Sequence, residues 1–302
     1  MFFNFLKYTR IYFLFSGLFM LASIVLLLVF GLRPGIEFTG GSILEVEFLK
    51  ERPSSPEIRE RLKDLNLEEL LLQPTGERGL ILKTKEISEE THQKILDKLE
   101  REKVRELRFE SIGPTIGKEL REKTKTLAIF ALLAILIYIA FAFRKLAQPR
   151  RPWQYGVVAI IALFHDVLIP LGLFAFLGRF FNVPFTIPIA VALLTIVGYS
   201  VNDTVIIFDR IRENLFKRRT DSFKEVINFS LNQILVRSMN TSLTTLFVLL
   251  AIFFLGGETL KYFSLALIIG IGAGTYSSIF LAAPLLFSWS ETPLRLRKRK
   301  RA

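Results

Sequence analysis

The sequence contains no cysteine and only two histidines, His92 and His165, among its 302 residues. Without cysteine the chain has no disulfide framework, no thiol nucleophile and no cysteine-based metal site. Two histidines are too few for a histidine-built metal centre. The phosphate-binding patterns G-x-x-x-x-G-K and strand-linked G-x-G-x-x-G are also missing. We therefore expect no cofactor, no metal and no enzymatic activity.

Long apolar runs are the main feature that the sequence does have. Hydrophobic residues make up 51% of the chain, more than is usual for a soluble domain. Crossing a bilayer takes roughly 20 helical residues, and six stretches are long and apolar enough. Spans one to six are predicted at Ile11–Leu32, Thr126–Phe143, Trp153–Gly178, Phe180–Phe208, Ser238–Gly257 and Tyr262–Ser290. Span one is too long for a typical signal peptide and lacks a cleavage site, so it is predicted to be permanent.

The net charge of +12 could indicate nucleic-acid binding, but the distribution of charge favours a membrane topology instead. The short loops on one side contain only two basic residues, Arg179 and Lys261. Those on the other side, together with both termini, contain Lys7, Arg10, Arg144, Lys145, Arg150, Arg151, six basic residues between Arg210 and Lys224, and six in the tail "RLRKRKRA". The positive-inside rule places both termini in the cytoplasm. The basic tail and the 210–224 loop are predicted to face anionic membrane lipids or a ribosomal or translocon surface, unless their charges only set the topology. Nucleic acid is not an expected partner.

A polar, nearly neutral insert separates spans one and two. Its strand-like segments are 42–48, 69–73, 79–84 and 104–112, and its helix-like segments are 54–65 and 88–100. The order β-α-β-β-α-β predicts a ferredoxin-like domain on the periplasmic side, with His92 as an exposed helix residue. The predicted domains are residues 1–32 (N-terminus and span one), 33–125 (the insert), 126–290 (spans two to six) and 291–302 (the tail).

Polar side chains recur at helical spacing inside the last three spans. Span four carries Thr195, Tyr199, Asn202, Asp203 and Ile206, and span five carries Arg237, Asn240, Thr241, Thr244 and Thr245. Small residues, among them Gly198, Gly270 and Gly274, are expected to allow close helix packing. The pattern predicts that spans four, five and six pack around a polar seam.

Asp203 and Arg237 are the charges that most need an explanation, because an ionised aspartate in an inserted helix is costly. The two residues are predicted to lie close enough to meet. In one interpretation Arg237 extends to the cytoplasmic headgroups and Asp203 is a static structural residue. In the other, Asp203 gains and loses a proton, and Arg237 stabilises its ionised form. Asn202 and Thr241 are then expected to assist the coupling.

His165 and Asp166 in span three form a second candidate site. The pair could relay protons, or it could be a buried hydrogen-bonded pair that orients the helix near Pro170. The residues alone leave both interpretations open.

Six motifs carry a resemblance to a known family. They are "GIEFTGGSILEVEF", "IGPTIGKEL", "ALFHDV", "VGYSVNDTVIIFDRIRENL", "RSMNTSLTTL" and "GIGAGTYSSIFLAAPLL". In this order they resemble the SecF family, which supplies the smaller subunit of the bacterial SecD–SecF protein-export complex, within the resistance–nodulation–division superfamily. Glu37 departs from the family pattern, which usually has aspartate there.

The resemblance implies six helices with a periplasmic ferredoxin-like domain between the first two, in the bacterial inner membrane. It implies SecD, the SecYEG channel, YajC and unfolded preproteins as partners. It also implies proton-motive-force-driven assistance to late preprotein export, with Asp203 and Arg237 at the family's coupling positions. The alternatives are half of a lipid or small-molecule exporter, and a translocon scaffold without ion chemistry. The sequence leaves H⁺ or Na⁺ as the coupling ion open.

Overall fold

The structure is a computed structural model that describes residues 3–143, 152–218 and 220–289. The chain divides into two compact units, one of residues 34–126 and one of residues 1–33 with 127–302. The predicted basic loop with Arg144, Lys145, Arg150 and Arg151 lies outside the described residues. The basic tail 291–302 also lies outside them.

The unit of residues 34–126 contains a four-stranded antiparallel sheet. Its strands are β1 (Gly41–Phe48), β2 (Leu71–Thr75), β3 (Gly79–Thr84) and β4 (Val104–Ile112), in the order β2-β3-β1-β4. Helix α3 (Ser55–Arg61) connects β1 to β2, and helix α4 (Glu89–Lys98) connects β3 to β4. Each helix begins at a serine, Ser54 or Ser88, whose side chain accepts a backbone N–H of the first turn. The strand order and pairing are those of the predicted ferredoxin-like fold.

One face of this sheet packs against α3 and α4. Apolar side chains at alternate strand positions fill the core between them, with Leu44, Val46, Leu80 and Leu82 all at most 2% exposed. His92 on α4 is also buried, stacked on Phe109 with 3.8 Å between ring centroids. The prediction that His92 is exposed is therefore wrong, because the helix turns that residue toward β4.

A tight turn precedes β1. Helix α2 (Ile36–Thr39) ends at Gly40 and Gly41, whose φ angles of 78° and 128° favour glycine. A Cβ on Gly40 would lie 2.8 Å from Cα of Pro114, and one on Gly41 would lie 2.7 Å from the carbonyl oxygen of Thr84. The turn "FTGG" is thus held against the start of helix α5 (Pro114–Phe143) and against β3.

Six helices are long and apolar enough to cross a membrane within the part of the chain that the structure describes. They are α1 (Thr9–Phe30), α5, α6 (Pro152–Phe180), α7 (Ile187–Lys217), α8 (Phe223–Leu255) and α9 (Glu258–Ser277, continued helically to residue 289). The apolar windows of α6, α7 and α9 are 50–56% buried, against 6–11% for those of α1, α5 and α8. Spans three, four and six therefore form the centre of the bundle.

Span four begins later than predicted. Residues 181–186 are not helical, and α7 starts at Ile187, one residue before Pro188. Asn182 has a φ of 56°, and the N–H of Phe185 bonds the carbonyl of Arg33 at 2.6 Å. Proline suits the first turn of a helix but disfavours helical geometry in the residue before it, so the prediction of a start at Phe180 was wrong. The helix also continues past Phe208 to Lys217, which places Asp203 near its midpoint.

Two of the helix contacts in the bundle are close enough to require glycine. A Cβ on Gly172 of α6 would lie 2.5 Å from Cα of Ser23 on α1. A Cβ on Gly270 of α9 would lie 2.2 Å from Cδ1 of Ile196 on α7. The first contact brings two backbones together, as small residues do in membrane helices, and the second leaves room for the Ile196 side chain.

The N-terminal segment is tied to α8. The Asn228 side chain accepts the N–H of Leu6 at 3.2 Å, and that of Asn232 accepts the N–H of Phe3 at 2.9 Å and donates to its carbonyl at 2.8 Å. Phe5 and Leu6 are buried in the apolar core that includes Ile227 and Leu231. The first half of α8 therefore packs on the N-terminus, whereas its second half is largely exposed.

Candidate functional site

Asp166 on α6 lies at the centre of the membrane bundle and is fully buried. Its Oδ2 accepts hydrogen bonds from Ser200 Oγ on α7 at 2.5 Å and from Ser277 Oγ on α9 at 2.8 Å. Its Oδ1 lies 2.8 Å from Nδ1 of His165. Three central helices thus meet on one carboxylate, and both of its oxygens have a hydrogen-bond partner.

His165 extends this network toward α1. The imidazole is buried and stacks on Tyr276 with 6.1 Å between ring centroids. The Tyr276 hydroxyl donates to the carbonyl of Tyr12 at 3.3 Å and accepts from Ser16 Oγ at 3.4 Å. His165 and Asp166 are therefore adjacent and hydrogen-bonded, an arrangement that both a relay and a structural pair require.

Asp203 on α7 is buried, with 6% of its surface exposed. Its Oδ2 has no hydrogen-bond partner among the described residues, unlike either oxygen of Asp166. The bundle thus contains two buried acids that differ in their hydrogen bonds. Both oxygens of Asp166 have partners, whereas Oδ2 of Asp203 has none among the described residues.

A polar seam joins α7, α8 and α9, as predicted. The Tyr199 hydroxyl lies 3.3 Å from Ser242 Oγ, which lies 2.6 Å from Thr275 Oγ1. Thr204 Oγ1 and Ser278 Oγ lie 3.1 Å apart in a second α7–α9 contact. A π-helical turn at Ser278–Ala282 follows Ser277, and both serines are fully buried. Such turns are rare and often occur at functional sites.

Two residues that the sequence associates with Asp203 point elsewhere. Asn202 is exposed, about 100° around α7 from Asp203. Thr241 is exposed on α8, and its hydroxyl donates to the carbonyl of Arg237. Thr195 of span four is exposed as well, so the predicted single face of that span divides between a buried and an outward side. Asn240 and Thr244 of span five are also exposed.

Arg237 is exposed on α8, and its side chain forms no ion pair within residues 3–143, 152–218 and 220–289. It lines a cavity of about 300 Å³ beside Asp209, Arg210, Arg212 and Glu213. The structure does not bring it onto Asp203, so the predicted meeting of these two side chains is absent from this conformation. The long α7 keeps the charged cluster more than one turn beyond Asp203.

The three glycines predicted to pack helices differ in their surroundings. Gly270 lies against Ile196, and a Cβ on Gly274 would be in ordinary contact with Asp166 Oδ2 at 3.4 Å. Gly198 is exposed with open space around it, so it packs no helix of the described part of this chain.

The sequence did not predict that Ser200 and Ser277 bond Asp166, or that Ser242 lies at the centre of the seam. Ser200 lies three residues before Asp203, and Ser277 lies within "TYSS", so both were visible as polar residues in apolar spans. Serine on a membrane helix is common, however, and periodicity does not identify its partner on another helix.

A second buried acid lies in the unit of residues 34–126. Glu37 on α2 has an Oε2 that is buried and lacks a hydrogen-bond partner among the described residues. Burial raises the pKa of Glu37, and the nearby Glu110 raises it further, whereas its own backbone N–H, Arg108 and Lys83 act in the opposite direction. The folded state binds this proton more tightly than the unfolded state does. Protonation of Glu37 therefore contributes to the free energy of unfolding at low pH, and this contribution is lost as the pH rises from the ordinary carboxyl pKa through the raised pKa of the folded state.

We expect Glu37→Gln to remove this pH dependence. The variant should unfold at a higher temperature than the wild type at pH 7.5, and its advantage should disappear at pH 4, where Glu37 is protonated. Thermal unfolding of the purified chain in detergent measures both. Glu47→Gln, at an exposed position on β1, is the matched control and should follow the wild type. A Glu37→Gln profile parallel to that of the wild type would contradict the expectation.

The fold and the site define a class of protein: a multi-pass membrane protein with six helical spans, a ferredoxin-like domain after the first, and buried carboxylates in the central spans. Residues 91–292 match the family model described as "Protein export membrane protein SecD/SecF, C-terminal", and residues 25–48 match the "SecD/SecF GG Motif". The chain belongs to the SecF family of protein translocase subunits.

Curated relatives and a solved structure agree with this assignment. The chain is 43% identical to the protein translocase subunit SecF of Thermobaculum terrenum, covering 93% of this chain and 92% of the relative. It is 38% identical to the corresponding subunit of Anaerolinea thermophila, covering 95% and 94%. The crystal structure of SecDF from Thermus thermophilus, a translocon-associated membrane protein, matches with a TM-score of 0.82 at 34% identity. That match covers 96% of this chain and 39% of the SecDF chain.

Proposed function

We propose that the chain is an auxiliary subunit of the Sec translocase that works with SecD and uses the proton-motive force to promote late preprotein export. Its relatives are named as translocase subunits, and the related solved protein unites SecD and SecF in one chain. This chain corresponds to 39% of that protein, and in this proposal a SecD partner supplies the remainder. In this proposal the membrane is the bacterial inner membrane, both termini are cytoplasmic, and the ferredoxin-like unit lies in the periplasm.

The vacant, buried Oδ2 of Asp203 is the observation that carries the proposal. A buried charge without hydrogen-bond donors is costly, whereas a protonated carboxyl is less so. Asp203 is therefore suited to hold a proton in this conformation and to release it in another. Asp166, with donors on both oxygens, is suited to remain in place as the fixed acid of the pair.

In the proposed cycle, the partner of Asp203 alternates between a proton and Arg237. A proton from the periplasmic side reaches Asp203, and Arg237 stays turned toward its cavity. Loss of the proton to the cytoplasm leaves a carboxylate that attracts Arg237, and α7 and α8 repack along the seam of Tyr199 and Ser242. This repacking moves the soluble domains, which bind and release the emerging preprotein. One charge crossing 100 mV supplies about 2.3 kcal/mol, so several protons per export event are expected.

The surroundings of Asp203 favour H⁺ over Na⁺. Sodium needs several oxygen ligands, and the polar residues that could supply them, Asn202 and Thr241, are exposed and directed away from Asp203. A carboxylate oxygen without a hydrogen-bond partner, such as Oδ2 of Asp203, can be neutralised by one proton without further ligands.

SecD, the SecYEG channel, YajC, unfolded preproteins and anionic lipids are the proposed partners. The outward faces of α7 and α8, with Asn202, Thr195 and Thr244, are polar surfaces that a bilayer alone would not satisfy. We place SecD against them. An inert scaffold would not need a titrating acid at Asp203. A half-exporter would be expected to carry a larger substrate-capturing domain than the unit of residues 34–126.

Late-stage preprotein release from vesicles containing SecD and this chain tests the proposal. Release should increase under an imposed pH gradient and should not respond to an equal sodium gradient. A response to sodium alone would reject H⁺ as the coupling ion, and equal release without any gradient would favour the scaffold.

A further inference from the structure

We propose that Arg33 is a positioning residue through which helix α7 controls the orientation of the soluble unit, residues 34–126. The inference rests on the proposed function, because it names the joint by which a repacking of α7 reaches the domain that binds the preprotein. The contacts that carry it join the end of α1 to the segment 181–186 before α7, and both belong to the unit of residues 1–33 with 127–302.

The chain passes from α1 into the soluble unit through a short connection. Helix α1 ends at Phe30, and Arg33 is the last residue before the soluble unit begins. The other connection of that unit is α5, whose apolar window is only 6% buried in the part of the chain that the structure describes. Helix α5 is therefore weakly held by the bundle, and the connection at Arg33 is the one that the bundle can grip.

The segment between α6 and α7 binds this connection through its backbone. The N–H of Phe185, two residues before the start of α7, donates to the carbonyl of Arg33 at 2.6 Å. The side chain of Leu32 packs against the apolar core that contains Val183 and Ile189. The start of α7 and the residue that leads into the soluble unit are therefore joined by a backbone hydrogen bond and by apolar packing.

The side chain of Arg33 adds a second attachment. Its Nη1 donates to Oδ1 of Asn182, a residue in the left-handed region with a φ of 56°. Glycine would suit that conformation best but has no amide to offer the arginine, whereas asparagine tolerates the conformation and supplies the acceptor. Gly178 at the end of α6 leaves room for the arginine, because a Cβ there would lie 3.3 Å from Cβ of Arg33.

These contacts give α7 a direct hold on the soluble unit. Asp203 lies on the same helix, so a repacking of α7 that follows the exchange of its proton also displaces the start of that helix. Arg33 moves with it, and the soluble unit begins at the next residue. Rigid elements with two discrete arrangements can carry coupling between distant sites in this way.

Distances between spin labels on the two units test the joint. They are measured by pulsed electron paramagnetic resonance on the full chain, reconstituted in nanodiscs with a cysteine-free SecD. The chain has no cysteine of its own, so labels attach only at Glu47→Cys on β1 and Leu260→Cys in the first turn of α9, two exposed positions. Because Asp203→Asn fixes the neutral state, the label distance at pH 8 should shift between the labelled chain and its Asp203→Asn variant.

Two variants loosen the joint by different contacts. Asn182→Gly removes the amide but keeps the left-handed backbone, and Gly178→Val displaces the Arg33 side chain. Each should abolish most of the shift in label distance that Asp203→Asn causes. Asn182→Asp keeps an acceptor for Arg33 and should retain the shift, which separates loss of the joint from a general disturbance of this segment.

Arg179→Gln is the matched control, because Arg179 is an exposed arginine three residues before Asn182. It should retain the shift, and an equal loss there would overturn the proposal. An undiminished shift in Asn182→Gly would also overturn it, even if Gly178→Val failed to fold. So would the absence of any shift in the labelled chain, because the soluble unit would then not follow Asp203. Gradient-driven release that Asp203→Asn abolishes would leave the proposed function standing in each of these cases.

Discussion

Asp203→Asn is expected to abolish the response of preprotein release to a pH gradient while leaving assembly with SecD intact. Asparagine occupies nearly the same volume and stays neutral, so the packing of α7 is preserved. It cannot take up and release a proton in the physiological range, so the two states of the proposed cycle no longer differ in charge. Release from vesicles with and without the gradient, beside co-purification with SecD, measures both effects.

Asn202→Ala is the matched control, because Asn202 is adjacent in sequence but exposed. Its effect on gradient-driven release should be much smaller than that of Asp203→Asn. If both variants lose the response equally, the outward face of α7 takes part in coupling, and the vacant oxygen is not the decisive feature. Full activity in Asp203→Asn would refute the mechanism.

Asp166→Leu is expected to destabilise the membrane bundle more than any other single change considered for its interior. Removing the carboxylate leaves the Ser200 hydroxyl and the His165 ring without their partner in a buried site, and leaves the Ser277 hydroxyl only its bond to the carbonyl of Gly274. An orphaned buried polar group costs roughly 1–3 kcal/mol, so the loss should be about 3 kcal/mol or more. Thermal unfolding in detergent measures it, with Ser264→Ala as a control, because Ser264 is buried but bonds only its own helix.

Asp166→Asn separates the two interpretations of the His165–Asp166 pair. The amide oxygen can still accept from both serines, so the variant should fold with a much smaller loss of stability. If it also retains gradient-driven release, the pair is structural. If it folds normally but loses release, Asp166 takes part in the proton path. A variant as unstable as Asp166→Leu would contradict the assigned hydrogen bonds.

The elements of the soluble unit could be predicted from the sequence because local signals there agree. Ser54 and Ser88 begin helices, and the strands alternate between buried and exposed positions, so periodicity also identifies the core. The start of span four was missed because a search for apolar length does not register Pro184 and Pro188 as breaks, although neither suits the middle of a helix.

The faces of the membrane helices were harder to predict for a physical reason. In water the apolar side of a helix faces the core, but in a bilayer lipid and protein interior are both apolar, so periodicity does not distinguish inward from outward. Asn202 and Asp203 therefore looked like one site, although the structure separates them. Arg237 was likewise predicted to reach Asp203. The structure shows instead that α7 continues beyond Phe208 and that Arg237 lies beside the charged residues of this extension.

The attachment of Phe3 and Leu6 to Asn232 and Asn228 has a consequence for the timing of biogenesis. These contacts join residues 222–229 positions apart in the chain. A ribosome adds about 5–20 residues per second, so the N-terminal segment waits on the order of ten seconds or longer for its partners to be made. Until α6 is complete the first helix also lacks its main packing partner, so its early residence in the lipid depends on its own hydrophobicity.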